Sequence, residues 1–234
     1  MFLRVADSEK EPLNTILDSE KLRFPWLMCR VLEMMPVFNI IYGFWSENNV
    51  QFDTVLESLQ HCDELLPKLQ NMENQGKKHI IASLVNRNEE LGVLPIEPLK
   101  EMLDLYQRFR DKTEFVLKDS DIAFIKEYFY EFVRRNDFPE KNSRLNSVFF
   151  YENLEVASMT AKELGQKFTD FCMVEIVETR SFDRYDQRWL TDIRTNCVFV
   201  ECLEAVKNYW KGEMTDYPKI ECLFDGKYVL KELR

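Results

Sequence analysis

The residue types that can do chemistry are unevenly supplied in this 234-residue chain, which has two histidines, six scattered cysteines and 41 acidic side chains against 31 basic ones. Cys29, Cys62, Cys172, Cys197, Cys202 and Cys222 form no Cys-x-x-Cys pair, so the paired ligands of a zinc site are missing and no metal site is expected. Without a secretion signal the cysteines read as small buried side chains rather than disulfides. His61 falls in an amphipathic stretch and His79 at a predicted helix start, both structural places. None of the six glycines stands in the spacing of a dinucleotide-fold or P-loop phosphate cradle. Any reaction therefore falls to carboxylates, arginines and hydroxyls.

Three places offer such groups. Arg30 sits in the run Trp26-Leu27-Met28-Cys29-Arg30-Val31-Leu32-Glu33, rich enough in β-formers to read as a strand entered after Pro25. Its guanidinium either meets solvent or reaches a cleft, where its planar donor fork suits phosphate or ribose oxygens. Residues 132–150 end a helix, pass a Phe138-Pro139 turn and enter a strand through Ser143-Arg144-Leu145. Three arginines and two serines around that turn could bind an anion or carbohydrate hydroxyls, or serve as caps and surface charge. Glu221 stands in a predicted strand, where period-2 alternation puts it and Leu223 opposite Ile220, Cys222 and Phe224. It acquires meaning only if the other two places converge on it.

The elements that must position these groups follow from periodicity. Residues 51–135 have helical apolar spacing in three stripes: Phe52, Val55, Leu56, Leu59, Cys62, Leu66 and Leu69; Leu99, Met102, Leu103, Tyr106, Phe109 and Val116; Ile122, Ile125, Phe129, Phe132 and Val133. Asp119 or Ser120 reads as the N-cap of the third stripe. Ile80, Ile81, Leu84 and Leu91 suggest a shorter helix ending at Gly92. Strands are expected over 145–151 and 170–179, and helices over 153–167 and 196–211. Asp225-Gly226 between two β-prone runs reads as a two-residue hairpin turn over 220–230. The chain is thus α+β and one domain (1–234): a first-strand region (26–50), a helical block (51–118) inserted after it, and a main α+β portion (119–234).

The net charge of −10 argues against general nucleic-acid binding, which needs surplus positive charge. The N-terminus turns acidic before a signal-length apolar core develops, and the most apolar stretch, 36–45, is too short to cross a bilayer. A soluble cytoplasmic protein is the reading.

One succession of residues carries more. The C-terminal end of the third helix, the Phe138-Pro139 turn, Ser143-Arg144-Leu145 and Ser147 to Phe149 come first. Tyr185-Asp186 with Trp189-Leu190 follows, then Ala205 with Tyr209-Trp210-Lys211-Gly212, and last Pro218 with Glu221-Cys222-Leu223, Gly226 and Val229. Over about 120–232 this order resembles a small family of uncharacterised bacterial domains whose fold is similar to ADP-ribosyltransferases. The resemblance implies a split antiparallel sheet with a cleft for NAD as substrate. It casts Arg30 as the first-strand residue holding the dinucleotide and Ser147 or Phe149 as the second-strand residue beside the nicotinamide. Glu221 becomes the carboxylate that stabilises the oxocarbenium-like sugar as nicotinamide leaves. Ser143, Arg144 and Phe149 become cofactor-binding residues, with Arg144 on the diphosphate. Lys219 stands two before Glu221, where many arginine-modifying transferases carry Glu or Gln, so the acceptor class is left open. The expected function is an NAD-binding, ADP-ribosyltransferase-like protein acting on a protein acceptor. The alternative is a catalytically inactive module that keeps the fold and grips a protein partner with its helical block.

Overall fold

Strands β1 (Phe2–Val5) and β2 (Ile16–Asp18) open the chain, ahead of every strand the sequence suggests. Helices α1 (Ser19–Leu22), α2 (Pro25–Glu33), α3 (Met35–Glu47), α4 (Phe52–Gln60) and α5 (Cys62–Asn74) follow, then β3 (His79–Ser83) and β4 (Glu90–Pro95). The remaining order is α6 (Ile96–Thr113), α7 (Ile122–Asp137), β5 (Val148–Tyr151), α8 (Leu154–Glu163), β6 (Phe171–Asp186), α9 (Arg188–Thr191), α10 (Phe199–Lys211) and β7 (Ile220–Glu232). This computed structural model describes residues 2–6, 11–22, 25–83, 90–163, 171–191 and 197–233. The α+β class expected from the sequence holds, and among the described residues no helix is long and apolar enough to cross a membrane. The chain divides into a sheet unit (Met1–Cys29, Glu131–Asp192, Val206–Arg234) and a helical unit (Arg30–Tyr130, Ile193–Ala205).

The sheet unit is built on two long antiparallel strands. β7 pairs with β6 from Glu232↔Cys172 through Ile220↔Asp186, and its other edge takes β5 along Glu221–Phe224 and β2 along Lys227–Val229. β1 joins β5 at Leu3↔Tyr151 and β6 over Phe2–Val5, so the pairings β1–β5–β7–β6–β1 close on themselves. Alternation assigns the two faces. Val148, Phe150, Cys222, Phe224, Tyr228 and Leu230 share one buried cluster, while Phe149, Leu223, Glu221 and Tyr185, matched in register, share the other face.

The Asp225-Gly226 hairpin is the main correction here. Residues 220–232 form one continuous strand, because the 16-residue β6 offers a partner to both halves of the segment. Glycine is required for another reason. Gly226 has φ 152°, and a Cβ built on it would overlap the backbone carbonyl of Glu178. It lies opposite Thr179, beside the two register shifts of β6 (Ile176/Glu178 and Thr179/Ser181), so the glycine accommodates a bulge rather than a turn. Ser19 locks this point: its Oγ donates to Asp225, while the Gly226 N–H and Arg180 donate to that Oγ.

In the helical unit the three stripes behave largely as expected. Phe52, Val55, Leu56, Leu59, Cys62, Leu69, Leu99, Met102, Leu103, Tyr106, Ile125 and Phe129 are buried. Trp45 packs on Phe52, Phe129 and Phe199 and donates to the Val50 carbonyl (3.2 Å). Three expectations fail. Residues 26–33 are helix α2, not a strand: Pro25 opens it, where proline costs no intrahelical hydrogen bond, and Arg30 pairs with Glu33 at i,i+3 spacing. The helix over Ile80 to Gly92 is replaced by a hairpin in which Ile80 faces Leu94 and Ala82 faces Gly92; Leu84, on which that reading also leaned, lies outside the described residues. Cys197 and Cys202 form a disulfide at the start of α10, their Cα atoms 6.2 Å apart, within ordinary reach. The N-terminal cap of α7 is shifted by one turn: Asp119–Asp121 is a short 3₁₀ turn, closed by the Asp121 carboxylate accepting from the Lys118 N–H.

Gly226→Ala is expected to lower the stability of the protein by about 2–4 kcal/mol. Urea denaturation followed by circular dichroism measures this, and an unchanged midpoint would contradict the close approach of β6 to Gly226.

Candidate functional site

Glu221 is the second residue of β7, flanked across the sheet by Tyr151 of β5 and Tyr185 of β6. On the face it shares with Leu223 and Phe149 it is covered by the last turn of α10 and by the turn before β5. The Tyr209 ring stacks on Tyr185 with centroids 4.6 Å apart, and Trp210 meets both edge-on. Tyr209 Oη donates to Glu221 Oε1 (2.7 Å) and accepts from Arg144 Nη1 (2.8 Å). Arg144 Nη1 also donates directly to Glu221 Oε1. The Arg144 guanidinium lies 5.0 Å over the Phe149 ring and 5.4 Å over that of Tyr209. Glu221 has no exposed surface and Arg144 only 8%. A carboxylate so placed is tolerable only because a guanidinium and a phenol satisfy it. Burial drives the Tyr209 phenol far above its ordinary pKa, and the adjacent Glu221 carboxylate adds to this; Tyr209 therefore stays a protonated donor across the physiological range.

The turn carrying Arg144 is itself held from below. Glu131, buried on α7, accepts from Arg134 through Nε and Nη2, from Arg135 Nε and from Ser143 Oγ. Burial raises the Glu131 pKa, but the hydrogen bonds from Arg134, Arg135 and Ser143 outweigh it, and the net displacement is downward. Arg134 Nη1 donates to the carbonyls of Pro139 and Lys141, and so fastens the Phe138-Pro139 turn to the helix. Ser143 Oγ accepts from Leu145 N (3.2 Å), capping the short 3₁₀ turn Arg144–Asn146, and Ser147 Oγ donates to the Ser143 carbonyl (2.8 Å). Beside this turn lies a polar pocket of about 360 Å³, whose lining includes Arg134, Lys141, Ser143, Asn146, Ser147 and Asp225. That volume suits a small ligand or one section of a larger one.

Five of the six candidate residues thus lie in the sheet unit. Arg144 contacts Glu221, Phe149 and Tyr209, and Ser143 and Ser147 line the pocket. Arg30 is placed differently: it belongs to the helical unit, on α2, where its guanidinium donates to Glu33 (2.8 Å) and to the buried Asp121 (2.6 Å). The strand role expected for it is overturned. Sequence reasoning did not assign roles to Tyr209, Tyr185 and Glu131. Tyr209 and Tyr185 were present in the motifs Tyr209-Trp210 and Tyr185-Asp186, and that aromatic pairing was the available signal. Among the described residues no cluster of His, Cys, Asp and Glu could hold a metal ion.

With this geometry in place, the comparison with known families gives one result. Residues 44–233 match the family described as "Protein of unknown function (DUF2441)", and the chain belongs to it. No curated protein matches the chain. The match covers Arg144, Ser147, Tyr209 and Glu221 alike.

If Arg144 and Glu221 compensate each other, the cost of removing one depends on the other. Arg144→Met and Glu221→Gln are each expected to destabilise by about 3–5 kcal/mol, since each strands a buried partner. The double variant should cost at least about 2 kcal/mol less than their sum. Chemical denaturation of the four proteins measures this, and simple additivity would contradict the pairing.

Proposed function

We propose that the sheet unit binds a dinucleotide of the NAD class beside the Ser143–Ser147 turn and hydrolyses or transfers its ADP-ribosyl group at Glu221. The observation that carries this reading is that one guanidinium, Arg144, is bonded to Glu221 while its chain neighbours Ser143 and Ser147 line a polar pocket. A diphosphate lying outside that pocket, on the Arg144 side of the turn, competes for Arg144, because guanidinium binds phosphate oxygens bidentately. Drawn onto the diphosphate, Arg144 ceases to neutralise Glu221. The carboxylate, still held by Tyr209, then faces the nicotinamide ribose as positive charge develops on it. The nicotinamide–ribose bond breaks with its electron pair leaving on nicotinamide, and water or a protein side chain adds to the sugar carbon and loses its proton. Electrostatic stabilisation of such a sugar cation is the role carboxylates play at glycosidic bonds.

A second reading rests on a specific observation: Glu221 is completely buried and already bound by Arg144 and Tyr209. On this reading the pair is a structural lock, and the protein is a non-catalytic module that works through a partner. The helical unit exposes Leu32, Met35, Val93, Leu105 and Val116, apolar side chains of the kind a protein partner covers.

Nicotinamide release separates the two. The first reading expects NAD to raise the melting temperature, as any ligand of the native state does, and expects slow nicotinamide release by the wild-type protein. Glu221→Asp keeps the charge opposite Arg144 but shortens its reach, and should cut release by about 10²-fold or more while NAD binding persists. Neither stabilisation by NAD nor nicotinamide release would favour the second reading instead.

A further inference from the structure

We infer that the pocket at the Pro139–Ser147 turn takes its ligand by accepting hydrogen bonds, and that the group it holds is an uncharged sugar presenting vicinal hydroxyls rather than a phosphate. This deepens the NAD-class reading and rests on it only in taking the sugar to be that of a nucleoside. The serine and arginine donors around the pocket are already spent. Ser143 Oγ–H is spent on Glu131, and Ser147 Oγ–H on the Ser143 carbonyl. Arg134 directs Nε and Nη2 at Glu131 and Nη1 at two backbone carbonyls. The groups that ordinarily make a serine- and arginine-rich turn an anion site are therefore turned inward. What these serines and Arg134 leave toward the pocket are lone pairs, those of Ser147 Oγ; the Asp225 carboxylate on the same lining already accepts from Ser19 and Arg180, and Lys141 supplies one ammonium. Asn146, the third residue of the turn, has its Oδ1 buried with no hydrogen-bond partner among the described residues. Nothing anchors that amide oxygen inward, so it can rotate toward a donor in the pocket without breaking a bond, and it gains one by doing so.

Charge narrows the class further. Of the lining charges Arg134 is paired with Glu131 and Asp225 with Arg180, which leaves Lys141 and Glu140 to offset each other, so neither an anion nor a cation gains a net field. A neutral group with several adjacent O–H donors fits, and a ribose diol is the compact form of one. The pocket volume of about 360 Å³ holds a nucleoside and not a whole dinucleotide, which leaves the diphosphate outside the pocket.

Three probes on the full-length protein test this by NMR titration of the amides of residues 139–147: adenosine, 2′,3′-dideoxyadenosine and inorganic pyrophosphate. Adenosine is expected to shift these amides saturably, removal of its diol to weaken binding at least tenfold, and pyrophosphate to leave them unmoved. Ser147→Ala and Asn146→Leu should each weaken adenosine at least threefold, with the melting curve showing that the fold persists. Equal binding of the two nucleosides, tighter binding of pyrophosphate at these amides, or no response to adenosine at millimolar concentration would each overturn the inference. Adenosine binding through its diol with no nicotinamide release from NAD would leave this site standing while overturning the transferase reading. Nicotinamide release with indifference to the diol would do the reverse.

Discussion

A buried carboxylate and a buried guanidinium meeting on one strand face is the constraint around which the sheet unit is arranged. Removing two charges from water costs several kcal/mol per ion, which the attraction between them offsets only with good geometry and further hydrogen bonds. Glu221 and Arg144 meet those conditions through Tyr209, which donates to the carboxylate and accepts from the guanidinium, and through two aromatic faces over which Arg144 lies. Because Glu221 is in register with Tyr151 and Tyr185, a slip of one residue in β7 would send it into the apolar cluster around Phe150 and Phe224. The pair therefore fixes register as well as charge. A similar arrangement recurs under β1: Arg4, itself buried, donates to Glu11, and Tyr228 donates to the same carboxylate. Two arginine–glutamate–tyrosine knots thus sit in one small sheet.

The long β6–β7 ribbon explains how such knots are held. Its pairing runs through 13 registered positions, which lets β7 present its first half to β5 and its second to β2. The bulges opposite Gly226 bend the ribbon at the one place where a side chain would collide with the Glu178 carbonyl. Asp186, at the far end of β6, accepts from Arg188 N, Lys219 N and from Thr215 through both backbone and hydroxyl. Those bonds outweigh its burial and hold its pKa below the ordinary carboxylate value. The loop leading into Glu221 is thereby tied to the strand beside it. The folded form of Asp186 gives stability above the unfolded carboxylate pKa that is lost as pH falls through its lowered folded value.

Much of this was legible in the sequence, and the reasons for the rest are physical. Helical stripes were readable because burial of one face repeats every three to four residues over long stretches. Ser143-Arg144 and Glu221 stood out because polar residues border or interrupt β-prone runs there, whereas Ser147 and Phe149 acquired roles only through the family resemblance. The run around Arg30 misled because eight apolar-rich residues carry too few turns to separate a strand from a helix. Asp225-Gly226 misled because local turn chemistry cannot report that a distant strand, β6, pairs with both sides of it. Ile80 to Gly92 misled because its apolar positions fit either period, and only the pairing of Ile80 with Leu94 decides. Glu131 was silent since its helix position does not differ locally from an ordinary one, and Tyr209 appeared only as part of an aromatic pair; their roles arise from what they reach across the fold. β1 was missed because four residues are too few for a pattern, though its place between β5 and β6 makes it central.

The proposed function requires Arg144 to be shared between Glu221 and a bound dinucleotide. Side-chain NMR of the Arg144 guanidinium, assigned by Arg144→Lys and followed through an NAD titration, tests that directly. NAD is expected to move the Arg144 Nε–H resonance in step with saturation, together with the Tyr209 hydroxyl and the Glu221 carboxyl carbon that lose Arg144 as a partner. Saturated NAD binding with all three signals fixed would contradict it.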